Sequence, residues 1–152
     1  MIRNLTVLAA LAVCIPSFAI AQAKPAAKSK AKATATMMGG GAKIRIVEPA
    51  RGASVSSPVK IVLQATGVKI VPATDSTPGT GHYHLFVDHA VTVVNDTIPR
   101  GVTGILHLGR GQTEFVLDSL KPGRHRVIAV VGDFKHRPLK PSLQDTVTFT
   151  VK

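Results

Sequence analysis

Residues 120–133 read Leu120-Lys121-Pro122-Gly123-Arg124-His125-Arg126-Val127-Ile128-Ala129-Val130-Val131-Gly132-Asp133. Lys121-Pro122-Gly123 makes a turn, since proline pre-sets φ and glycine accepts the backbone that follows. An apolar, β-branched strand runs through Arg124–Val131 and stops at Gly132-Asp133. The same punctuation recurs outward in both directions. Downstream, Asp145–Val151 alternates and closes the domain. Upstream, Ile105–Leu108 and Gln112–Leu117 read as strands separated by Gly109-Arg110-Gly111. Before them lie the loop Asn95–Gly104, a short strand at Ala90–Val94 and the strand His82–Asp88. Residues 72–81 hold prolines, glycines, Ser/Thr residues and Asp75, and form a loop. Val68–Val71, Val59–Thr66 and Lys43–Glu48 complete the set, the last ending at Pro49. No segment carries a capped apolar stripe of helical period.

Seven or more short strands at roughly 8–12-residue spacing indicate an all-β sandwich or barrel. Residues 43–152 have the length of one immunoglobulin-like domain. The expected fold is therefore a single immunoglobulin-like β-sandwich of about seven to eight strands. Two stretches resemble exported modules of that class. Val47–Val59 looks like their opening strand, Pro-x-x-Gly turn and next strand. Leu120–Val127 resembles their Leu-x-Pro-Gly-x-Tyr-x-Val corner, with His125 in the place of the tyrosine. His125 is thus expected to be structural, its ring hydrogen-bonding back across the turn as a corner tyrosine does.

The N-terminus reads as an address. Met1-Ile2-Arg3-Asn4 supplies one positive charge, Leu5–Ile15 is apolar, and Pro16-Ser17 precedes Ala19-Ile20-Ala21. This is the order of a secretory signal, with cleavage expected after Ala21 and the protein expected in the periplasm. No transmembrane segment is expected once the signal is removed. Cys14, the one cysteine, lies inside the apolar run, so the mature chain lacks thiolates and disulfides. Residues 22–42 are low-complexity Ala/Lys sequence ending in glycines, and are read as a disordered basic linker.

The chain carries +11, with five basic residues and no acid in 1–42, and fourteen basic and eight acidic residues in 43–152. Such an exported cation suits anionic envelope components. Nucleic acid is not an expected partner, because no binding motif is present and aromatics for base stacking are scarce.

Chemistry concentrates in Gly79-Thr80-Gly81-His82-Tyr83-His84-Leu85-Phe86-Val87-Asp88. Alternate strand residues share a face, so His82 and His84 point the same way with Cα atoms about 6.5–7 Å apart. Two imidazoles so placed can reach one ion. Of the six histidines, His107, beside the Gly109-Arg110-Gly111 loop, and His136, in the loop after Gly132-Asp133, complete a candidate metal set. Imidazoles without thiolates suit zinc or copper(II). Asp88 is about 13 Å along the strand from His84 and is expected to end the strand. Glu114 and Asp133 are the better supporting carboxylates, as ligands or as groups that orient the rings. The same histidines also fit hydrogen-bonded or surface roles in an ordinary sandwich.

Four spaced motifs share a resemblance. They are Gly81–Asp88, His107-Leu108-Gly109-x-Gly111-Gln112-Thr113-Glu114, Pro122-Gly123-x-His125 and Gly132-Asp133-x-x-His136. Together they resemble the bacterial domain-of-unknown-function family 4399 over most of residues 79–152. That family has three consecutive histidines where this chain has His82-Tyr83-His84. The middle residue faces the opposite side, so a site on the face of His82 and His84 survives the change. The resemblance implies an exported domain of this size and brings no established activity.

Three functions stay open on this reading. The first is an exported binding module loaded with copper or zinc. The second is an envelope interaction domain without metal, tethered by its basic tail. The third, least favoured, is a metal-dependent enzyme. His-x-His strands occur in copper–zinc superoxide dismutases, but their remaining ligand spacing and cysteines are missing here. Cupredoxin chemistry needs a cysteine ligand, and no nucleophile elbow is present.

Overall fold

The structure, a computed structural model, describes residues 41–93 and 95–152. The expected signal peptide, and the expected linker up to residue 40, lie outside the described residues.

Nine strands form among the described residues: β1 (Lys43–Glu48), β2 (Ser54–Val55), β3 (Val59–Thr66), β4 (Lys69–Ile70), β5 (Thr80–Val87), β6 (Ile105–Leu108), β7 (Glu114–Leu117), β8 (Gly123–Gly132) and β9 (Gln144–Val151). There is no helix among them, so none that could cross a membrane. The short strand expected at Ala90–Val94 is absent over residues 90–93, which run as loop. Ser54–Val55 adds a strand that the sequence did not mark, because its pairing is supplied from β9.

One sheet has the order β1-β3-β7. The other has the order β2-β9-β8-β5-β4, and β6 also pairs β5. β8 takes one edge of β5. β4 and β6 therefore share the opposite edge, against residues 80–81 and 83–86 of β5 respectively. The sheets pack face to face as a β-sandwich. Ile61, Leu63, Tyr83, Leu85, Val127, Ala129, Val147 and Phe149 are among the side chains that fill the interior. Their spacing of two along each strand is what a pleated strand requires of one buried face. Each buried Val, Leu, Ile or Phe among them contributes roughly 1.5–3 kcal/mol by leaving water. The backbone N–H of Ile46 donates to Asp145 Oδ2 at 2.8 Å and ties β1 to β9.

β5 is unusual in being buried on both faces. Tyr83 and Leu85 point into the sandwich. Phe86 points outward and packs with Ile98, Ile105, Val130 and Ile128 in a second, smaller cluster. Ile98 belongs to the connection between β5 and β6, which folds back over the outer face of the larger sheet. His82 and His84 continue that outward row.

Candidate metal centre

Sheet register assembles three of the four histidines. His84 lies directly opposite His107 of β6 and opposite Val130 of β8 on its other side. His82 stands two residues earlier on the same face, opposite Gly132. The fourth, His136, is delivered by the loop that follows β8. That loop closes through a bridge between Gly132 and Pro138. Inside it, Asp133 Oδ1 accepts from the backbone N–H groups of Lys135 (2.8 Å) and Arg137 (2.9 Å). The His136 N–H donates to Asp133 O at 2.8 Å, and His136 O accepts from Ile98 N–H at 2.8 Å. His136 itself has φ 61°, in the left-handed region that a non-glycine residue adopts at a cost. The loop and the outer cluster thus fix where His136 points.

The four rings converge. Every pair of ring centroids among His82, His84, His107 and His136 lies between 4.7 and 5.5 Å apart. One ring nitrogen from each lies within 4.8 Å of the other three. His107 Nε2 and His136 Nε2 approach to 3.1 Å, one donating its proton to the other. Ligands at 2.0–2.1 Å around a tetrahedral zinc stand about 3.3–3.4 Å from one another. The four nitrogens would draw in from separations of up to 4.8 Å to reach that spacing around an ion.

Two glycines make room for the rings. A Cβ on Gly109 would fall 2.2 Å from Cε1 of His107, and one on Gly132 would fall 3.0 Å from Cε1 of His84. These positions were not singled out as site residues from the sequence. Their signal is only their place at strand ends, Gly109 directly after β6 and Gly132 as the last residue of β8.

The electrostatics favour neutral imidazole, the form that ligates metal. His82 and His84 are fully buried, and none of their four ring nitrogens has a hydrogen-bond partner. Each unpaired buried polar group costs about 1–3 kcal/mol. Burial, followed by the fields of His107 and His136, holds the pKa of His82 down at about 4. Burial and the three neighbouring histidines hold His84 at about 2. Partial cover on the ring and the nearby Arg100 lower His107. His136 is lowered by burial, His107 and Arg100, with Asp133 opposing.

The remaining candidates go elsewhere. Glu114 sits on β7 of the other sheet and pairs with Lys60 at 2.8 Å, so it does not support this cluster. The separation of strands 6 and 7 into different sheets is the reason. Asp133 is close enough for its charge to act on His82 and His136, and its visible task is to fold the His136 loop. Asp88, with φ 53°, ends β5. Its Oδ1 accepts from Arg126 N–H at 2.8 Å and its Oδ2 meets His125 Nδ1 at 2.6 Å. His125 Nε2 donates to Lys121 O at 2.7 Å, the hydrogen bond back across the turn that the corner motif implied. Tyr83 points to the sandwich interior, away from the four rings.

The sequence profile of the family described as domain of unknown function 4399 matches residues 61–152, and the chain belongs to that family. All four clustered histidines fall within the match. No curated protein matches the chain. A solved structure of an engineered protein is similar over 73% of this chain at 16% identity and a TM-score of 0.45. This chain spans only 20% of that protein's length.

Proposed function

We propose that this protein is an exported binding module that holds one zinc or copper(II) ion through His82, His84, His107 and His136. The observation that carries the reading is the convergence of four imidazoles, two of them fully buried with no hydrogen-bond partner for any ring nitrogen. Four nitrogen donors without a thiolate suit these two ions. A bound ion would give one nitrogen of each buried ring the partner that the protein withholds. Four protein ligands also fill every position of a tetrahedral zinc, as in non-catalytic sites. Binding rather than catalysis is therefore the role assigned. Export is supported by the charged start, apolar run and Ala-x-Ala pattern of residues 1–21.

Elemental analysis of untagged protein after loading and desalting tests the assignment. The expected result is one ion per chain, lost in both His82→Ala and His84→Ala. Sub-stoichiometric metal that is unchanged by those substitutions would overturn it.

A further inference from the structure

A metal at this site would not be what holds the domain together. The four rings stand on the outer face of the larger sheet, whereas the main core lies between the sheets. β5 is already paired to β6 over residues 83–86 and to β8 over residues 82–87. The loop that carries His136 is closed by its own backbone and by Asp133. Domains built around structural zinc behave differently, because there the ion supplies much of the folding free energy.

The four ligands also differ in access. His82 and His84 are 0% exposed. His107 is exposed and His136 is half-buried. An incoming donor atom can approach the ion only from the side of His107 and His136. That side is cationic. Arg100 lies near enough to act on both rings, and exposed Lys135 and Arg137 flank His136. Asp133, whose charge opposes them, spends Oδ1 on two backbone N–H groups. Phe134, 42% exposed, adds an apolar contact point with Lys135 Nζ 5.4 Å from its ring centre. Cationic rims of this kind accelerate the approach of anionic partners.

We propose that the domain is a metal carrier, in which His82 and His84 grip the ion while His107 and His136 exchange for the donor atoms of an acceptor with an anionic face. The proposal rests on the four-imidazole reading above. In each exchange step one metal–nitrogen bond to His107 or His136 breaks as a bond to the incoming donor forms. The oxidation state of the ion does not change.

The test loads the full, untagged chain with Cu2+, measures the loading, and then follows release to nitrilotriacetate by stopped-flow absorbance. The release rate is expected to rise linearly with nitrilotriacetate concentration. It should fall about tenfold in about 1 M NaCl, where the Debye length shrinks to about 3 Å. Arg100→Ala should slow release at low salt and remove part of the salt effect. His107→Ala should still load but release at least tenfold faster, whereas His82→Ala should not load. A release rate independent of nitrilotriacetate concentration, in a chain that loads fully, would overturn the carrier while leaving the metal site standing. Failure to load at all would overturn both.

Discussion

His125 and the pair His82/His84 occupy the same larger sheet and have opposite chemistry. His125 has both ring nitrogens matched, one by the Asp88 carboxylate and one by the Lys121 carbonyl. Burial works against its charge, but those two partners outweigh it and raise its pKa. His82 and His84 are buried without any partner, and their pKa values fall to about 4 and about 2. A histidine that serves the fold is supplied with acceptors by the fold. The two buried rings are supplied with none, and all four of the clustered rings are aimed at one another. The contrast separates a corner brace from a cluster of rings that could hold a metal ion within one protein.

The sharpest way to break the contrast is to change one histidine on each side. His84→Leu should abolish metal loading, while His125→Ala should leave loading stoichiometric; elemental analysis of both variants decides. Without metal, the same His84→Leu change should stabilise the domain by about 1–3 kcal/mol, because it removes buried unpaired nitrogens and keeps the volume apolar. Urea melts in the presence of a chelator measure this. A destabilised metal-free His84→Leu would mean that the ring nitrogens have partners in solution.

The two sides should also respond to pH in opposite senses. His82 and His84 have folded pKa values below the usual 6.5, so the unfolded chain takes up protons first. The metal-free domain should lose stability as pH falls from about 6.5 toward about 4, by up to about 1.4 kcal/mol per pH unit for each ring. His125 has a raised folded value, so its contribution is complete below the unfolded pKa and disappears as pH rises through the folded one. Urea midpoints across pH 4 to 9 should therefore fall at both ends. His82→Leu with His84→Leu should flatten the acid limb alone. His125→Ala should flatten the alkaline limb and lower stability near pH 6 by about 1–2 kcal/mol. The smallest expected effect is at Gly109. A methyl there would push the His107 ring aside, and Gly109→Ala should weaken metal binding about tenfold with little change in the urea midpoint.

Much of this was legible in the sequence, for identifiable reasons. Period-two alternation and turn residues located β1, β3 and β6 to the residue, and the Pro122-Gly123 corner foretold the His125 hydrogen bond. The shared face of His82 and His84 followed from strand geometry alone. The arrival of His107 did not, because it depends on the register that puts residue 107 opposite residue 84. His136 was harder still. Its position needs a left-handed backbone at φ 61° and an anchor at Ile98, 38 residues away in the chain. Glu114, expected as a supporting carboxylate, lies on β7, and β6 and β7 part into different sheets. Gly109 and Gly132 read only as turn punctuation, because a glycine at a strand end usually marks a turn and its closeness to a ring depends on the fold.

Four imidazoles meeting at one ion would leave a direct spectroscopic mark. X-ray absorption at the metal edge of the loaded, untagged protein tests it most directly. The expected spectrum has four nitrogen scatterers at about 2.0–2.1 Å with the outer-shell signature of imidazole rings. A shell dominated by oxygen, or one with no more than two imidazoles, would contradict it.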